Sequence, residues 1–88
     1  HQSRLLWKTT RPTPVSDCPL RFSFVNSASG KRADITVPNS DAVDVSLPAD
    51  IVREGYDLIM VAFTGKAFTS ENIGPSDFLF LNQIALTD

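Results

Sequence analysis

Few residues in this chain could carry chemistry, and their spacing limits what that chemistry could be. His1 is the single histidine and Cys18 the single cysteine. Zinc is held by four ligands, usually Cys and His, and one of each, seventeen positions apart, does not make such a set. A serine or cysteine nucleophile needs a neighbouring base, normally histidine, and the only histidine stands at the first position. No G-x-S-x-G run occurs, and Gly30, Gly55, Gly65 and Gly74 stand singly, so no phosphate cradle is spelled out. Asp41 and Asp44 flank a turn in which Asn39 could add a carbonyl oxygen to a calcium ion. The EF-hand spacing is absent, and a solvated turn reads the same residues more simply. Asp57 is the one acid inside an apolar run, "YDLIMVAF". Burial there would raise its pKa and suit it to acid–base work. Its place at the start of the run instead predicts a carboxylate that faces solvent or accepts a hydrogen bond from a neighbouring loop.

A second group of residues suggests contact rather than catalysis. The stretch Thr64 to Asp77 is long for a connection between strands and mixes Phe68 and Ile73 with polar residues, with Phe78 following. Long loops in compact domains often carry function. Lys66, Phe68, Glu71, Asn72 and Ile73 are therefore the candidate binding residues, the bland alternative being a loop tucked back on its own domain. Sugar-binding surfaces usually offer Trp or Tyr for stacking. This chain has only Trp7 and Tyr56, both placed where a core would use them. Cys18, beside Pro19, reads as a small apolar core residue, an intermolecular thiol or a nucleophile.

Composition bounds the rest. The chain has 88 residues, 42% of them apolar and 20% charged, with a formal charge of −2. This suffices for one small domain spanning 1–88, which buries only roughly 60–65% of its unfolded surface. Near-neutral charge argues against a dedicated nucleic-acid binder, and no apolar run approaches the roughly 20 residues of a membrane helix. One reading of residues 1–4 is a tag remnant or linker, since the chain starts at His1 rather than Met. Charge is unevenly spread. Residues 1–32 carry Arg4, Lys8, Arg11, Arg21, Lys31 and Arg32 against Asp17, a net of +5. Residues 33–88 carry Arg53 and Lys66 against Asp34, Asp41, Asp44, Asp50, Glu54, Asp57, Glu71, Asp77 and Asp88, a net of −7. The halves either neutralise each other within the domain or make an electrically polar module that meets copies of itself.

The elements follow from apolar residues that alternate with period two. In "LRFSFV", Leu20, Phe22 and Phe24 share one face. In "AVDVSLP", Val43, Val45 and Leu47 do, and in "RADITV", Ala33, Ile35 and Val37. "LLWKTT" puts Leu5 with Trp7. "YDLIMVAF" and "FLFLNQIAL" (Phe78 to Leu86) are apolar on both faces and predict central strands covered on both sides. "RPTP" (Arg11 to Pro14) reads as an extended link, "NSASGKR" as a loop with Gly30 at positive φ, and "PADIVREG" as a crossing with one helical turn at Ala49 to Arg53. The expected total is six strands, or seven with a short edge strand at Ala67–Thr69. The fold class is thus all-β: an immunoglobulin-like antiparallel β-sandwich, with a small barrel as the rival.

The order of an early-strand Trp, the alternating strand "LRFSFV", "DVSLP", "GYDLIMVAF" and a last strand resembles a fibronectin type III or related immunoglobulin-like domain. The resemblance implies that Trp7 fills the core and that Tyr56, opening the penultimate strand, packs near the Leu47–Pro48 corner. The segment "LPADIVREGYDLIMVAFTGKAFTSENIGPSDFLFL" also resembles the C-terminal domain of uncharacterised bacterial (Bacteroidetes) proteins. The expected role is a non-catalytic binding or structural module in a larger extracytoplasmic or virion-type assembly. Its contacts would come from the Thr64–Asp77 loop and an edge strand near Ala33–Val37. The partner would be a protein or a second copy, with no cofactor, metal, nucleic acid or membrane insertion. The alternatives are a carbohydrate-binding module attached to a secreted enzyme, and a small enzyme or inhibitor using Asp57.

Overall fold

A computed structural model describes residues 1–9, 18–64, 77 and 80–88. The elements are β1 (Arg4–Lys8), β2 (Leu20–Val25), β3 (Arg32–Val37), β4 (Ala42–Ser46), α1 (Ala49–Glu54), β5 (Leu58–Phe63), a 3-10 helix (Phe80–Gln83) and β6 (Ala85–Thr87). The strands form two three-stranded antiparallel sheets, ordered β4-β1-β6 and β3-β2-β5. The mostly-β reading holds at this level.

Period-two patterning explains the packing. Leu5 and Trp7 on β1, Leu20, Phe22 and Phe24 on β2, and Val37 and Val43 on β3 and β4 are buried in one core with Leu47 and Ile51. The two sheets meet through β1 and β2, their central strands, where the Trp7 and Phe22 rings lie 6.0 Å apart. Trp7 Nε1 donates to the Ser40 carbonyl at 2.8 Å. That bond satisfies the indole's only donor inside the core. The "PADIVREG" crossing contains α1, which inserts Ile51 between the sheets and ends at Gly55. Gly55 sits at φ 92°, ψ 159°, a region essentially reserved for glycine. His1 stacks near Tyr56, Ser3 N donates to the Thr87 carbonyl, and Arg4 opens β1. Residues 1–4 thus take part in the fold.

Two expectations need correction. "YDLIMVAF" is not a central strand. Among the described residues β5 lies at the edge of its sheet, bonded to β2 on one side, and Leu58 to Ala62 are all exposed. "FLFLNQIAL" is not one long strand either. Over its described part it forms the 3-10 helix and then the three-residue β6, which pairs with β1 at a sheet edge. A continuous apolar run marks a strand with no solvent-adapted face, but periodicity carries no information on where that strand sits in a sheet. The Ala67–Thr69 strand and the Arg11–Pro14 link lie outside the described residues.

Candidate interaction edge

β5 is placed by its ladder with β2. Leu20 faces Phe63, Phe22 faces Val61, and Phe24 faces Ile59. Ile59 and Val61 therefore share the inner face with the buried phenylalanines, yet they are 38% and 41% exposed. On the outer face, Leu58 and Met60 are 46% and 41% exposed. Thr64 N donates to the Pro19 carbonyl at 2.8 Å, which sets the phase of the ladder. Residues in step with Thr64, namely Ala62 and Met60, turn their backbone groups towards β2. Ile59 and Val61 turn theirs to the open side, because hydrogen-bonding direction alternates along an antiparallel strand.

The other edges are guarded. β3 carries the Arg32–Asp34 ion pair on its outer face, with the Asp34 carboxyl held below the usual aspartate range first by its bond from Arg32 and then by Ser23. On the edge strand β4, Asp44 pairs with Arg4 of β1. β6 has only three residues. Charges and short length are the usual protections of exposed edges. Between Leu58 and Phe63 there is no charge, proline or glycine.

Asp57, just before β5, is exposed and accepts hydrogen bonds from the Ser27 amide (2.9 Å) and the Ser27 hydroxyl. The Ser27 hydroxyl, and then its amide, hold the carboxyl below the ordinary aspartate value. A general acid here would need the opposite shift. Because the folded pKa is depressed, the stabilisation is present above the unfolded pKa and is lost as pH falls through the folded one. Ser27→Ala, which keeps the amide donor, is expected to move the Asp57 titration part of the way up to the ordinary value. Carboxyl chemical shifts followed from pH 7 into acid test this, and an unmoved midpoint would refute the assigned cause.

The remaining candidates are scattered. Lys66, Phe68, Glu71, Asn72 and Ile73 lie outside the described residues. Cys18 is 2% exposed, in keeping with the core reading and not with a surface thiol. Trp7 is buried and offers no stacking platform at the surface. Among the described residues no group of three or more His, Cys, Asp or Glu side chains is placed to hold a metal, and no helix is long and apolar enough to cross a membrane. An open groove of about 360 Å³ runs along Leu6, Lys8, Ala42 and Asp44 on β1 and β4.

The Asn39 side chain bonds to a residue that sequence reading passed over. Its amide nitrogen donates to Asp77 at 3.1 Å, and Asp77 is fully buried. This bond ties the turn after β3 to the chain ahead of the 3-10 helix. The only signal in the sequence was an acid between "GPS" and the apolar "FLFL". Asp77→Ala takes this acceptor from the half-buried Asn39 amide and is expected to cost about 0.5–1.5 kcal/mol, the range for a typical hydrogen bond. Urea unfolding checks it, and a loss under about 0.5 kcal/mol, as for an ordinary surface change, would show that the bond carries no weight.

Comparison of the chain with protein-family models, with curated proteins and with solved structures finds no match.

Proposed function

We propose that the chain is a non-catalytic interaction module with an immunoglobulin-like, fibronectin type III-like sandwich fold, working inside a larger extracytoplasmic or virion-type assembly. Two three-stranded antiparallel sheets around a shared core support the fold reading. So does Tyr56, whose ring meets Phe24 edge-on at 5.3 Å and whose hydroxyl donates to the Gln2 carbonyl. The functional reading rests on one observation. β5 presents an uncharged edge with apolar side chains exposed on both faces and with the backbone groups of Ile59 and Val61 directed outward. Such an edge suits strand addition, in which main-chain bonds supply affinity and alternate side chains supply selectivity.

Titration with short, extended apolar peptides tests this by amide chemical shifts. The expected response is concentrated at Ile59, Val61 and their neighbours on β5. Shifts confined to the β1–β4 groove, or no response beside a positive glycan screen, would overturn the strand-addition reading.

A further inference from the structure

We propose that Met60 is an oxidation site, and that conversion of its thioether to the sulfoxide weakens binding at the β5 edge. The second half of this inference rests on the interaction-edge reading above and names its regulation.

The inventory of readily oxidised side chains is short. The chain has one cysteine, one methionine and one tryptophan. Oxygen transfer to a side chain follows its exposure. Cys18 and Trp7 are 2% and 3% exposed, whereas Met60 is 41% exposed. Hydrogen peroxide in solution therefore meets one sulfur and not the other. The Met60 sulfur gives a lone pair to one peroxide oxygen, and the S–O bond forms as the O–O bond breaks. The proton of the transferred hydroxyl passes to the departing hydroxide, which leaves as water. Sulfur is oxidised, peroxide is reduced, and no further reactant enters.

The place of Met60 in the strand decides what this changes. It lies between Ile59 and Val61, and on its own face between Leu58 and Ala62. Its backbone groups turn towards β2, so oxidation leaves both the ladder and the open groups of Ile59 and Val61 unaltered. The side-chain surface changes instead, because a flexible apolar group becomes polar. An extended apolar partner spends its main-chain donors on the ladder and has none for the sulfoxide oxygen. Covering that oxygen strips it of water without replacing the bond, which is costly.

The sheet itself accommodates the oxidised form. Met60 stands opposite Ser23 of β2. Ser23 is buried, and its hydroxyl oxygen accepts a hydrogen bond from the Arg32 guanidinium at 3.2 Å. Arg32 thus reaches from β3 across the same outer face to the strand beside Met60. A guanidinium carries five N–H donors, and two of these are bonded to Ser23 and Asp34. The sulfoxide oxygen gains a cationic donor group one strand away and remains in contact with water. Oxidation at this position changes the edge without unpacking the core.

Treatment of the 88-residue chain with dilute hydrogen peroxide, followed by peptide mass mapping, is the test. One added oxygen is expected at Met60, with the Cys18 thiol recovered in full after unfolding. Far-UV circular dichroism should be unchanged. The dissociation constant of extended apolar peptides, read from the Ile59 and Val61 amides, should rise about tenfold. Methionine sulfoxide reductases with a thiol reductant should restore it. Met60→Leu takes up no oxygen there, and its peptide affinity should be the same before and after peroxide. Oxidation of Cys18 ahead of Met60 would overturn the assignment of the site. Equal peptide affinity of the reduced and the singly oxidised chain would overturn the regulation alone. Peptides that bind neither form would remove the edge reading and the regulation with it, while the mass map still decides the oxidation site.

Discussion

Truncation of Phe24 to alanine is expected to destabilise the domain by about 3–5 kcal/mol, the range for deleting a buried aromatic ring. Phe24 has no exposed surface and lies at the middle of the β3-β2-β5 sheet. Its ring meets Tyr56 edge-on and shares its face with Ile59 on β5 and Ala33 on β3. The cavity would open where the three-residue link Gly55–Asp57 leads from α1 to β5, so the surroundings have little freedom to collapse into it. At roughly 0.05–0.15 kcal/mol per residue, a chain of this length is stable by only about 4–13 kcal/mol. Each kcal/mol lost is worth roughly 4–8 °C in a domain this small, so the melting temperature should fall by more than about 10 °C. Thermal and urea unfolding followed by circular dichroism measure this. A loss below about 1 kcal/mol would mean that Phe24 is not part of a close-packed core. The variant should also weaken peptide binding at β5, because Ile59 rests beside the deleted ring.

Trp7→Ala carries a similar expected cost, about 3–5 kcal/mol, for a different combination of reasons. The indole fills the space where the two sheets meet, and it also anchors the turn at Ser40 through Nε1. Trp7→Phe separates the two contributions. It keeps a ring against Phe22 but removes the donor, and about 1–2 kcal/mol is expected from the lost bond and the smaller ring. A Phe variant as damaged as the Ala variant would show that the Ser40 bond, not the packing, holds the sheets in register. Since Trp7 is the sole tryptophan, circular dichroism must report these transitions. In the wild type its fluorescence should be blue-shifted when folded and move to the red as urea exposes it.

These two variants address the part of the protein that is legible in its sequence. Alternation in "LRFSFV", "AVDVS" and "LLWK" names the core-facing side chains of β2, β4 and β1, because a strand half-buried in a sheet must alternate, although Ser23 on the other face of β2 is buried too. The Pro48–Gly55 crossing, the positive φ of Gly30 and the solvent-side role of Asp57 were also readable, since each rests on local backbone or hydrogen-bond chemistry. The resemblance drawn from Trp7 and Tyr56 named two residues that do line or flank the core, although only the sheet arrangement, not the finer fold family, follows from the architecture.

The interaction edge was not legible. Leu58 to Phe63 has the composition of a buried central strand, and that is the natural reading of an unbroken apolar run. Neighbour relations between strands are non-local: among the described residues β5 is an edge because β2 bonds it on one side while β1 and β6 belong to the other sheet. Burial of Asp77 was hidden for the same reason, since its partner Asn39 arrives from a turn far away in the chain. Local periodicity and chain stereochemistry therefore determined which residues form strands and which of their faces are apolar. The tertiary arrangement alone decided which apolar face is left uncovered, because side-chain alternation is a property of one strand whereas exposure depends on every strand that could lie beside it.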